Sequence, residues 1–160
     1  MEGTYNVFKA ASEEGCNRVI FASSAQVVEG YPVDVQVFSD MPVRPKNLYG
    51  VSKSFGEALA SYFAYQENVP IIAMRIGAFD EITQVGQELT ARDMSAYISP
   101  EDLCQLIEGS ILTKLKEPFE IVHAVSNNRF KRLDISKTKE LTGYSPKHDA
   151  FQKCGFLFKE

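Results

Sequence analysis

Three short, almost unbroken apolar runs constrain this chain more than any other feature: "NRVIFASS" closing at Ser24, "VPIIAMRIG" closing at Gly77, and "FEIVHAV" closing at Val125. A strand with one wet face alternates apolar and polar residues, whereas a run that is apolar at nearly every position must be covered on both faces. Helical patterns separate the runs. "MEGTYNVFKAASEEG" brings Tyr5, Phe8 and Ala11 near one face and stops at Gly15. A second helix is expected from Leu48 to Glu67, with Phe55, Leu59, Tyr62 and Phe63 at helical spacing. "SPEDLCQLIEGSILTKL" has Ser99 as N-cap and Pro100 in the first turn. "LDISKTKELTGYSPK" reads as a short helix begun by Asp134 or Ser136 and stopped by Gly143 and Pro146. Between them, Glu29 to Asn47 is a proline-bearing loop and "FDEITQVGQELTARDMSAY" is polar and irregular. Strands and helices that alternate in this way build a parallel sheet clad by helices, an α/β fold in one domain over residues 1–160.

Composition narrows the function classes. The chain has 160 residues, 44% of them hydrophobic, and a net charge of −4 with acids and bases interspersed. No basic block marks a nucleic-acid surface, and no apolar run reaches the roughly 18 residues of a membrane span. Cys16, Cys104 and Cys154 are odd in number and far apart, without metal-ligand spacing, which suits a reducing cytoplasm and no metal. His123 at a strand end and His148 in a polar turn read as structural.

The chemistry sits in "LYGVSKSFGE". A phenol is a poor base near neutral pH, with a reference pKa of about 10. An ammonium held beside it favours the phenolate. Tyr49 and Lys53 are four positions apart, so on a helix they share one face. Ser23 and Ser24 end the first strand, where open parallel sheets bind ligands. A serine there could orient an alcohol or carbonyl for proton transfer to the tyrosine.

Taken together, "ASSAQVVEGYP", "RPKNLYGVSKSFGE" and "MRIG" resemble the extended short-chain dehydrogenase/reductase family, the NAD-dependent epimerases and dehydratases. The resemblance implies a catalytic trio of Ser24, Tyr49 and Lys53, with Ser23 structural. It implies NAD or NADP as cofactor, bound at its nicotinamide end by Ala22, Tyr49, Lys53, Ile76 and Gly77. Within the family the likeness is greatest to the uronate dehydrogenases. In those terms Ser24 and Ala25 line the substrate and Arg92 grips the sugar carboxylate. Two departures bear on the substrate: Ala25 and Gln26 stand where those enzymes have Asn and His, and Ala78 where they have a serine.

The resemblance also implies a strand–turn–helix unit with a glycine-rich turn for the pyrophosphate, and this sequence shows none. The expected fold is thus the C-terminal part of a doubly wound, Rossmann-type sheet, lacking the first strands and open along the edge of its first strand. A homodimer through the helices at 1–14 and 48–67 is expected from the same likeness. The expected activity is NAD(P)-dependent oxidation or reduction of a sugar or sugar acid, with cofactor binding impaired. The alternatives are a non-catalytic remnant or interaction module, half of a split enzyme, and a nucleotide-sugar epimerase, which uses the same tyrosine and lysine.

Overall fold

A computed structural model describes residues 1–79, 82 and 89–156. The three apolar runs form strands β1 (Val19–Ser24), β2 (Ile71–Ile76) and β5 (Phe119–Ala124), which align in parallel in the order β1-β2-β5. Their register is direct, Val19 beside Ile71 and Ile71 beside Phe119. Helix α1 (Glu2–Glu13) precedes β1, and α2 (Leu48–Gln66) crosses from β1 to β2. Helix α4 (Pro100–Leu112) leads into β5, and α5 (Ser136–Thr142) follows it.

Each strand residue alternates faces, and the two cores follow that alternation. Val19, Phe21, Ile71 and Phe119 pack with Phe8 of α1 and Ala60 and Phe63 of α2. Ile20, Ile72, Met74, Val122 and Ala124 pack on the opposite side with Leu106 of α4 and Leu141 of α5. Both faces are therefore clad by helices, as near-continuous apolar strands require. The architecture is α/β.

The two edges differ. At β5, the Thr138 hydroxyl accepts from the His123 N–H at 2.9 Å and donates to the His123 carbonyl at 3.0 Å, so the segment after the strand closes its rim. At β1, Val19 donates to Pro70 on the β2 side. By alternation, Ile20 and Ala22 turn their backbone groups outward. Among the described residues β1 pairs only with β2, Val19–Phe21 are half-buried and Ala22 is exposed.

The segment read as irregular is more ordered than its polarity suggested. Its residues 80, 81 and 83–88 lie outside the described residues. Ala78–Phe79 (β3) pairs in parallel with Tyr97–Ile98 (β4), and α3 (Ala91–Ala96) lies between them. Thr90 caps α3 by accepting from the Asp93 N–H at 3.1 Å. The α5 helix starts at Ser136, whose N–H and hydroxyl both donate to the Asp134 carboxylate. A last short helix, α6 (Ala150–Lys153), had no counterpart in the sequence reading. No helix among the described residues is long and apolar enough to cross a membrane.

Candidate active site

The start of α2 is built to sit against the end of β1. Asn47 is its N-cap: its side-chain oxygen accepts from the Gly50 N–H at 2.8 Å. The same amide donates to the Gln26 side-chain oxygen at 2.9 Å, tying the cap to the turn of 3-10 helix (Ala25–Val27) that follows Ser24. Gly50 makes the approach possible, because a Cβ there would run into the Gln26 carbonyl. Between these two anchors stands Tyr49, with its side chain open to solvent.

The face of α2 that carries Tyr49 then descends onto the sheet. Tyr49 is exposed, Lys53 is half-buried and Glu57 is buried, one helical step after another. Lys53 Nζ donates to the Ala22 carbonyl at 2.7 Å, on the outward edge of β1. It lies 5.6 Å from the Tyr49 ring centre and 5.3 Å from that of Phe21. The ammonium thus stays close to the phenol while two of its three donors are left over. Ser24 is buried, and its hydroxyl oxygen accepts from the Gln26 N–H at 3.2 Å, which leaves its own proton to donate. The structure therefore brings Ala22, Ser24, Tyr49 and Lys53 to the carboxyl end of β1.

Ser23, beside Ser24, has a different role. Its hydroxyl donates to Glu57 Oε1 at 2.6 Å, and Glu57 in turn holds Arg75 through two bonds of 2.9 and 2.8 Å. All three side chains are buried. This polar lock joins β1, α2 and β2 directly beneath the tyrosine and lysine. Sequence reading missed Glu57 and Arg75, although the signal was available: an acid on the core face of "FGE" and a lone arginine inside the apolar run "IIAMRIG". Two charges expected in the same core call for each other.

Ile76 ends β2 half-buried, and Gly77 follows it. The Gly77 N–H donates to the Ala124 carbonyl at 3.0 Å. A Cβ on Gly77 would collide with the Ala96 carbonyl, so packing against α3 alone demands glycine there. Ala25 is buried in the core beside β2, and the Gln26 amide is engaged with Asn47.

Arg92 is held by acids of this chain. Its Nε and Nη2 donate to the two oxygens of Glu29 at 2.9 and 2.7 Å, and its Nη1 donates to Asp93 at 3.0 Å. These bonds, Glu29 foremost, raise its pKa above the ordinary arginine value. Arg92 also lines a cavity of about 500 Å³ with Val33, Ala91, Ser95, Phe130, Arg132 and Phe151. None of the residues gathered at the end of β1 lines that cavity. Glu29, unremarked in the sequence, carries its side of the pair from the segment just beyond Ser24.

Known proteins resemble this chain in sequence and in fold. The profile of the NAD dependent epimerase/dehydratase family matches residues 1–79. A uronate dehydrogenase of Pseudomonas putida is 33% identical over 145 residues, covering 91% of this chain and 52% of that protein. An L-arabinose 1-dehydrogenase (NAD(P)(+)) of Haloferax volcanii is 32% identical over 167 residues, covering 92% and 65%. A crystal structure of uronate dehydrogenase from Agrobacterium tumefaciens, a tyrosine variant complexed with NAD, superposes with a TM-score of 0.81 at 30% identity. It covers 94% of this chain and 55% of that one. The chain spans about half the length of the uronate dehydrogenases it matches. The sheet described above corresponds to the C-terminal part of their Rossmann-type fold. By the profile match over residues 1–79, and by this likeness in sequence and in fold, the chain is similar to the NAD dependent epimerase/dehydratase family.

Proposed function

We propose that this chain carries the catalytic and substrate half of an NAD(P)-dependent sugar oxidoreductase, folded as one domain and working in the cytoplasm. The observation that carries the reading is the convergence of Ser24, Tyr49 and Lys53 at the carboxyl end of β1, with Lys53 bonded to Ala22 and 5.6 Å from the Tyr49 ring.

The residues present fit the nicotinamide end of NAD or NADP. Tyr49 is open to solvent, Lys53 keeps donors for ribose hydroxyls, and Ala22, Ile76 and Gly77 offer backbone nearby. When bound there, the nicotinamide would supply the acceptor for a hydride from the sugar carbon. In the oxidative direction Tyr49 takes the proton of the sugar hydroxyl as general base. Lys53, 5.6 Å from the Tyr49 ring centre, places its ammonium beside the reacting phenol. Ser24 donates its remaining proton to the reacting oxygen and fixes its orientation. Loss of a hydride from the carbon and of a proton from its hydroxyl oxygen turns an alcohol into a carbonyl.

A homodimer accompanies this reading. Val51, Phe55, Ala58, Tyr62 and Tyr65 are exposed on α2 at alternating steps of four and three, the spacing of a helix–helix seam. With exposed Tyr5 and Val7 on α1, they offer the apolar face that two copies could share.

The test is calorimetric titration of the folded chain with NAD⁺ and NADP⁺, followed by a screen of sugars for the appearance of reduced nicotinamide. Turnover that Tyr49→Phe abolishes without unfolding the chain is the expected result. A folded chain that binds neither cofactor, alone or with sugar, would overturn the proposal.

A further inference from the structure

The guanidinium that the sequence reading assigned to a substrate carboxylate already holds one. A carboxylate is gripped best by two parallel N–H bonds from one edge of an arginine. On Arg92 that edge, Nε with Nη2, is filled by both oxygens of Glu29, and Nη1 gives one of its two N–H groups to Asp93.

Both acids are pinned in place. The residue after Glu29 is Gly30, whose N–H donates to the Arg44 carbonyl at 2.7 Å and whose missing Cβ makes room for that carbonyl. Asp93 accepts from the Thr90 hydroxyl at 2.6 Å in the capping turn of α3. The Glu29 side chain is only 14% exposed and that of Arg92 29%, so the pair is shielded from much of the solvent. An incoming carboxylate would meet one positive and two negative charges, and a fork already occupied by an acid tethered to the same fold.

We propose that Glu29 closes Arg92 to substrate carboxylates, and that the sugar this site accepts is a neutral aldose rather than a uronate. The proposal rests on the sugar-oxidoreductase reading above and adds Arg92 to its substrate site, through Glu29, five residues beyond Ser24. Glu29 and Asp93 then act as acceptors for sugar hydroxyls, and Arg92 acts as the strut that holds their carboxylates in place. Glu29 is a specificity-determining residue of this chain.

The experiment is a nitrogen-15 NMR titration of the full chain with L-arabinose and with D-glucuronate, following the Arg92 Nε–H signal, assigned by its loss in Arg92→Lys. In the wild type, L-arabinose is expected to shift the signals of α3 and of Ser24, and D-glucuronate to bind roughly tenfold more weakly or worse. Glu29→Gln is expected to tighten D-glucuronate binding by roughly tenfold or more with a shift of Arg92 Nε–H, a gain that adding Arg92→Lys removes. Wild-type chain that binds D-glucuronate as well as L-arabinose overturns the proposal alone, and needs no variant to show it. Glu29→Gln that stays folded and gains nothing for D-glucuronate, while L-arabinose still binds, does the same. If neither sugar moves these signals in either protein, the placing of Arg92 at a sugar site falls as well.

Discussion

Glu57 on α2 and Arg75 on β2 lock together through two bonds, Nε to Oε1 at 2.9 Å and Nη2 to Oε2 at 2.8 Å, with both side chains shut away from water. Glu57 lies eight residues beyond Tyr49 on the same helix, so this pair and the Ser23 hydroxyl set the height and rotation at which the tyrosine and lysine stand over β1.

Glu57→Gln leaves Arg75 charged and unpaired in the interior. It is expected to cost about 3–5 kcal/mol, read from urea unfolding, because a buried charge without its partner is worse than no charge at all. Replacing both residues together by methionine is expected to recover most of that loss. Equal stability of the single variant and the wild type would show that water reaches the pair.

Gly50→Ala pushes a methyl group into the Gln26 carbonyl at the point where α2 meets the end of β1. Overpacking of this kind costs about 1–3 kcal/mol and should displace Tyr49 relative to Ser24. Gly3→Ala, where a Cβ meets open space in α1, serves as the control and should be neutral or stabilising by up to about 1 kcal/mol. Thermal unfolding of the two variants side by side checks the contrast.

His123 is fully buried, with its Nδ1 2.8 Å from the Asp134 carbonyl oxygen. Burial, aided by the charges of Arg75 and Lys137, lowers its pKa from 6.5 to about 4 against the pull of Asp134. The unfolded chain therefore takes up this proton at a higher pH than the folded one. The stability tied to neutral His123 is complete above pH 6.5, falls as the pH drops towards about 4 and levels off below that. The whole effect is on the order of 3 kcal/mol. In His123→Gln, unfolding free energies measured across that range should lose this part of the slope.

Phe55 and Tyr62 sit in the middle of the exposed seam on α2. Phe55→Glu with Tyr62→Glu should turn a dimer into a monomer in analytical ultracentrifugation while leaving the circular dichroism spectrum unchanged. A wild type that sediments as a monomer at high concentration would remove the dimer from the picture.

Much of this was legible in the linear chain. The apolar runs at 19–24, 71–76 and 119–124 could only be doubly covered strands, because no other arrangement hides every residue of such a run. Ser99 and Pro100 began α4, and Gly143 ended α5 in the left-handed conformation at φ 70°, since these signals act within a few residues of themselves. Tyr49 and Lys53 shared a helix face for the same local reason. What lies between segments far apart in sequence was decided only in three dimensions. Glu57 and Arg75 are 18 residues apart, and Arg92 and Glu29 are 63 apart, and neither carboxylate reveals its partner until the chain is folded. An arginine in a sequence is only a cation in search of an acid. Packing chose the acid, and in pairing Arg92 with Glu29 it filled the fork that the sequence had left open for a ligand.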